Sequence, residues 1–223
     1  MIKALFCKEW IKTRGSVLLA AAIMAAGAAY TYINTAQAFR LHGAVQEWNA
    51  VITKDAAVLP DILRWLPVCA GVVLALSQFI PEMTDKRFKL TLHLPLPEGR
   101  ILSTMLCYGL AVLGGLFLAT CAAVALCIAA YYPAETLRAV SGSSLPWFLA
   151  GWYAYLAAAW ICLEPSWRYR LSYALTTVCT LPAFFIAAPT GAYGPFIPWL
   201  LAVTALCYAF PFYSAARFKE GAR

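Results

Sequence analysis

The sequence predicts an all-α membrane protein: six transmembrane helices with both ends in the cytoplasm (N-in/C-in), an N-terminal interfacial helix, and a broken or re-entrant connection between spans five and six. Three observations lead there. The 223 residues are 63% hydrophobic and 12% charged, with a mean hydropathy of +0.72, whereas a soluble domain is roughly half apolar and a quarter charged. Six apolar stretches, about 16–33, 63–80, 101–130, 147–163, 171–188 and 196–213, contain no Asp, Glu, Lys or His. The basic residues gather in alternate connections between them. A bilayer core needs roughly 20 apolar residues per helix, so residues 1–223 form a single transmembrane domain with no room for a second globular unit.

Along the chain, Ile2, Leu5, Phe6, Trp10 and Ile11 recur at helical spacing while Lys3, Lys8, Glu9 and Lys12 take other positions. That pattern predicts a helix over 1–14 lying in the membrane interface. Ala36-Gln37-Ala38 imitates a signal-peptide cleavage site, but the run Ser16–Ile33 is long enough for a true span, so the segment is expected to be retained. The first outer loop, about 34–62, carries Phe39, Leu41, Val45, Trp48 and Val51 at roughly helical intervals and predicts a short amphipathic helix. The third stretch exceeds one crossing, as a strongly tilted or projecting helix would. Ala111, Gly115, Ala119 and Ala123 repeat at four-residue spacing, which permits close helix approach in lipid and a dimer seam. Pro182, Pro189, Gly191, Gly194, Pro195 and Pro198 crowd the junction of spans five and six, where the helices must break.

Orientation follows from the charges. With the N-terminus inside, Lys3, Lys8, Lys12, Arg14, Lys86, Arg87, Lys89, Arg100, Arg168, Arg170, Arg217, Lys219 and Arg223 are cytoplasmic. Arg40, Lys54, Arg64 and Arg138 remain outside or at the outer boundary. This asymmetry is the positive-inside rule, and it places the chain in the inner (cytoplasmic) membrane. The net charge of +7 is scattered beside apolar segments, not collected into a groove-lining stripe, so no nucleic-acid partner is expected. The eight cysteines form no C-x-x-C pair and only His42 and His93 are available beside them, so they read as small packing residues and neither a metal site nor a disulfide framework is expected.

The sequence has no G-x-S-x-G, no H-E-x-x-H, no paired intramembrane aspartates and no phosphate-cradling G-x-x-x-x-G-K-[ST]. The span interiors also lack the ionisable residues that ion-coupled transport uses. Uphill movement would therefore draw its energy from another polypeptide. The informative segment is the loop 81–100, between spans two and three. Glu82 with Lys86 and Asp85 with Lys89 are four-apart pairs that suggest a short helix. Leu90, Leu92, Leu94 and Leu96 then alternate with other residues up to Pro95 and Pro97, which suggests an extended or tightly turned stretch.

In these residues the chain resembles the permease subunits of type-2 ABC transporters, whose second span ends in an acidic residue followed by a basic stretch and a Leu-rich L-x-L-P segment. Glu82, Lys86, Arg87 and Leu92-His93-Leu94-Pro95-Leu96-Pro97 match in order. The resemblance implies an ATP-driven exporter subunit that is not itself an enzyme and holds no cofactor, with ATP and Mg bound by separate cytoplasmic ATPase subunits. It further implies a second permease subunit, identical or related, and an ATPase-coupling loop made by Glu82, Lys86, Arg87, Phe88, Leu90, Leu92, Leu94, Pro95 and Leu96. The long first outer loop departs from the smallest members of that family. The apolar spans suit a lipid, a hydrophobic peptide or a drug-like cargo, and equally a protein that works by mechanical force. Two other readings are a membrane scaffold or assembly factor without transport, and a small membrane enzyme with an unrecognised site. Glu164 is expected to be solvated or locally paired beside Arg168, His93 to be a surface contact, and Trp65, Trp147, Trp152 and Trp199 to belong to the aromatic belts.

Overall fold

The computed structural model describes residues 2–54, 57–84, 97–186 and 193–219. Among them every regular element is helical. α1 covers Ile2–His42, α2 Ala44–Lys54, α3 Asp61–Thr84, α4 Glu98–Tyr131, α5 Ala134–Leu163, α6 Trp167–Thr180 and α7 Ile197–Lys219. Short 3₁₀ turns occupy Leu181–Phe184 and Gly194–Phe196. Five of these helices are long and apolar enough to cross a membrane: those of α1, α3, α4, α5 and α7. The chain is thus an all-α protein of membrane-spanning character.

The polarity of the bundle is that of a protein dissolved in lipid. Leu18, Leu118, Leu126, Trp199 and Leu206 are largely exposed, while Glu9, Thr13, Gln78, Glu82, Glu164 and Ser214 are buried. In water such a distribution would be costly on both counts. In a bilayer the outer residues keep an apolar solvent and the polar ones find partners inside.

α5 is the central helix, packed along α3 on one side and α7 on another, while α1 lies against α3 and α4. The crossing of α3 with α5 is close because both helices present glycine at it. A Cβ on Gly71 would collide with the Gly151 carbonyl, and one on Gly151 would lie 2.7 Å from the Pro67 carbonyl oxygen. The four-residue repeat Ala111, Gly115, Ala119 and Ala123 takes no part in this crossing and is exposed on α4.

Three expectations are revised. The helix over 1–14 is not a separate interfacial element but the first turns of a continuous 41-residue α1, about 61 Å long at 1.5 Å per residue and so about twice the bilayer core. Its buried stripe is Leu5, Glu9, Thr13, Val17, Ala20 and Met24, whereas Trp10 and Ile11 are exposed. α5 begins at Ala134, not near 147. Trp147 and Trp152 therefore sit in mid-helix, with Trp152 packed on Phe117. Finally, the fifth apolar stretch forms a helix of 14 residues, ended by the 3₁₀ turn at Pro182.

Other expectations hold. The outer-loop helix is α2, reached through Gly43 at φ +79°, a left-handed corner that favours glycine. Trp48 pins it by donating its indole N–H to the Tyr131 carbonyl at 3.0 Å. Helices break at the Pro- and Gly-rich junction, as far as the described residues go, since Pro189 and Gly191 lie outside them. All eight cysteines are free, with Cys127 and Cys207 buried in the bundle and Cys7, Cys69, Cys107 and Cys179 exposed.

Candidate functional site

The site begins with a spacing on α1. Lys8 and Lys12 are four residues apart, as are Glu9 and Thr13, so each pair is stacked on one face of the helix. Glu9 and Thr13 fall on the buried stripe, and Lys12 sits at its edge. α3 runs antiparallel to α1 and ends beside them, delivering Glu82 two residues before its last residue, Thr84.

Glu82 has a fully buried side chain, and one of its oxygens, Oε1, receives both ammonium groups: Lys8 Nζ at 3.0 Å and Lys12 Nζ at 2.9 Å. Lys12 also reaches Glu9 at 2.8 Å. Thr13 shares a 2.7 Å hydrogen bond with the Tyr108 hydroxyl on α4, and the Phe6 ring packs edge-on against Tyr108. Two lysines and two glutamates therefore form a clasp between α1 and α3, which the Thr13–Tyr108 bond extends to α4. All four lie beyond the apolar stretches 16–33 and 63–80. Burial alone would push both carboxyls up. At Glu9 it prevails over the Lys12 contacts and the carboxyl is held above its ordinary value. At Glu82 the hydrogen bonds and charges of Lys12 and Lys8 together outweigh it and hold the carboxyl below.

Of the residues expected to form the coupling loop, Glu82 alone is described. Lys86, Arg87, Phe88, Leu90, Leu92, Leu94, Pro95 and Leu96 lie outside the described residues, as do His93 and the four-apart pairs with Lys86 and Lys89. The partners of Glu82 in the structure are on α1, about seventy residues away along the chain.

A second buried carboxylate terminates α5. Glu164 is fully buried, not solvated, and its partners are on α7 instead of the neighbouring Arg168: Ser214 donates to Oε2 at 2.8 Å and Arg217 faces Oε1 at 3.1 Å. Arg170 at the start of α6 donates Nε and Nη2 to the Glu164 backbone carbonyl at 3.2 and 2.8 Å, capping the exposed end of α5. Arg217 also lies 4.1 Å above the Tyr169 ring. The ends of α3, α5 and α7 and the starts of α1 and α6 thus share one end of the bundle, its basic end.

The opposite end is tied differently. Phe39 packs on Tyr131 and Tyr132. Trp65 stacks on Phe185 at 4.4 Å, and Arg64 donates to the Phe185 carbonyl at 3.3 Å. Tyr153 and Thr180 share a hydrogen bond midway. The segment Trp167–Phe185 consequently carries the chain from the basic end to the opposite end.

Within the bundle, Gln78 donates to the Met105 carbonyl at 2.9 Å and accepts from Tyr155 at 2.8 Å, joining α3, α4 and α5. Sequence reasoning passes over Gln78 and Tyr155 and sets Glu9 apart from the apolar positions of its helix, whereas Glu9 is buried. The available signal was the spacing of Leu5, Glu9, Thr13 and Val17, a polar pair on an otherwise apolar stripe.

Chemically, the clasp acts as a tie between helices, because each lysine is already committed to a carboxylate. Among the described residues no three His, Cys, Asp or Glu side chains converge as metal ligands. No protein-family model, curated protein or solved structure matches the chain.

Proposed function

We propose that this chain is the membrane permease subunit of a type-2 ABC exporter, residing in the inner membrane and driven by separate cytoplasmic ATPase subunits that bind ATP and Mg. The observation that carries the reading is the clasp: Glu82, at the base of the segment that resembles the coupling loop, is bonded to Lys8 and Lys12 of α1 and through that turn to α4. A loop that receives force must be anchored to the helices that it moves.

The topology proposed is six spans, N-in and C-in. The sixth crossing would be α6 with its 3₁₀ extension: 14 and 4 residues, at 1.5 and 2.0 Å each, give about 29 Å, close to the thickness of a bilayer core. The alternate distribution of basic residues supports the orientation, and the exposed small-residue face of α4 supports a second permease subunit, identical or related.

The test is the paired change Leu92→Ala and Leu94→Ala. Each leucine seated in an ATPase groove contributes on the order of 1–3 kcal/mol of binding, so the variant should insert and fold but fail to co-purify with the ATPase, or hydrolyse without transport. Val45→Ala with Val51→Ala, at the opposite end on α2, should leave the complex intact. Full ATPase binding and coupled activity in the loop variant would defeat the exporter reading.

A further inference from the structure

A cavity of about 530 Å³ opens at the basic end between α3, α5, α6 and α7, within the roughly 300–1,000 Å³ range of small-molecule sites. Its walls are apolar, including Ile80 and Met83 from α3, Ile161 and Cys162 from α5, and Phe218 from α7. Among the described residues that line it, Arg170 is the one cationic side chain. The guanidinium spends Nε and Nη2 on a neutral backbone carbonyl. Among the described residues no ion pair gives its charge a carboxylate partner, and the Glu164 carboxylate faces Arg217.

The surroundings share this character. Arg168 is exposed beside it, and Trp167, Tyr169 and Tyr213 expose large aromatic rings on the same ends of α6 and α7. Aromatic rings with arginines at a helix end belong at the level of lipid headgroups. An apolar slot below and an uncompensated guanidinium at that level match the two halves of one ligand class, in which acyl chains lie against Ile80, Met83 and Ile161 while an anionic headgroup meets Arg170.

We propose that this cavity is a binding site for a single anionic phospholipid, its phosphate held by Arg170 and its chains by the walls of α3, α5 and α7. Basic pockets between helices at a membrane boundary take such lipids for this reason, and a guanidinium fork suits a phosphate better than an ammonium does. The occupant also bears on the clasp, since Thr84 lines the same cavity two residues beyond Glu82. The inference rests on the bundle lying in a membrane with this end at its boundary, not on the identity of any ATPase. Failure of the exporter reading would leave the lipid site standing, and cysteine labelling of the topology tests the membrane placement separately.

The experiment is native mass spectrometry of the delipidated full chain with dioleoyl phosphatidylglycerol, dioleoyl phosphatidylcholine or inorganic phosphate. Phosphatidylglycerol should be retained one to one, and Arg170→Gln should weaken it by about tenfold, a loss of one charge-assisted contact, while Arg138→Gln at the other end leaves it unchanged. Because Arg170 also caps α5, Met83→Trp supplies a second variant that fills the slot with the arginine intact and should lose the lipid equally. On the wild-type chain, phosphatidylglycerol bearing a diazirine in its acyl chain should label the peptides around Met83 and Cys162, with labelling competed by phosphatidylglycerol and not by phosphatidylcholine. Equal retention of the two lipids, binding of phosphate alone with the same dependence on Arg170, unchanged retention in both variants, or competed labelling found only elsewhere would each overturn the proposal.

Discussion

Replacing Glu82 by Gln removes one negative charge from an oxygen on which two ammonium groups converge, at almost unchanged volume. Glu82 is fully buried, Lys12 is 14% exposed and Lys8 is 40% exposed. Lys8 can turn to solvent and Lys12 keeps Glu9. Removing one member of a buried pair costs about 3–5 kcal/mol, and the lower end applies where one lysine can escape. At 2–4 °C per kcal/mol for a chain of this size, the melting temperature should fall by about 6–12 °C. Glu9→Gln should behave oppositely. Glu82 is held below its ordinary value of 4.5, so its contribution is complete above that pH and is lost as the pH falls through the lower folded value. Glu9 is held above 4.5, so its charge opposes folding once the pH has risen through the raised value. The charge that Glu9→Gln removes is one that burial already opposes, so at pH 7 it should cost less than Glu82→Gln. Thermal unfolding of the purified chain followed by tryptophan fluorescence at pH 7 and at pH 4 decides the matter. The Glu82→Gln deficit should shrink at the lower pH. A shift under about 2 °C for Glu82→Gln at pH 7, or equal losses for both variants, would refute the reasoning.

Three further outcomes are expected. Gly151→Val would set a side chain 2.6 Å from Phe117 Cζ and 2.7 Å from the Pro67 carbonyl, and backbone cannot yield, so it should lose more than the ~1–3 kcal/mol of ordinary overpacking and its monodisperse peak on size exclusion; Gly115→Ala, which meets nothing within 4 Å, should keep the peak. Single cysteines in a cysteine-free background should be reached by an impermeant thiol reagent from outside intact cells at positions 46 and 143 and not at 99; labelling at 99 would sink the six-span topology. The purified chain alone should release no phosphate from ATP, whereas its complex with the partner ATPase should, and robust hydrolysis by the isolated chain would contradict the subunit reading.

The helices were legible because lipid imposes a length and a composition on each crossing, and the apolar stretches at 16–33, 63–80, 101–130 and 147–163 each fall inside a single helix. Their ends were less so. Hydropathy reports where lipid solvates a helix, not where the helix stops, so Ala134–Leu145, with Glu135, Arg138 and three serines before Pro146, reads as a loop yet forms the first three turns of α5. Gly15 failed to divide α1 for a related reason. One glycine costs about 1 kcal/mol in a helix interior, which is too little to interrupt a 41-residue helix held on two sides by α3 and α4.

Glu82 was legible as a boundary carboxylate, but local pairing rules look four residues away and found Lys86, while the described partners come from α1. No periodicity encodes a contact at that separation; it arises because α1 and α3 are antiparallel neighbours whose basic-end termini coincide. The consequence for mechanism follows from the joints that hold the end of α3 to its neighbours. Glu82 bonds the last turn of α3 to α1, and Thr13 carries that connection to Tyr108 on α4. Deeper in, Gln78 ties α3 to α4 and to Tyr155 of α5, and Gly71 meets Gly151 without an intervening side chain. A displacement applied at the end of α3 thus cannot be absorbed by bending that helix alone, because buried ionic, polar and backbone contacts oppose it at three successive depths. Packed interfaces of this kind shift as units or not at all. In the exporter reading a push on the loop would move α1, α3, α4 and α5 together, and loosening the clasp at Glu82 should therefore uncouple hydrolysis from transport before it abolishes ATPase binding.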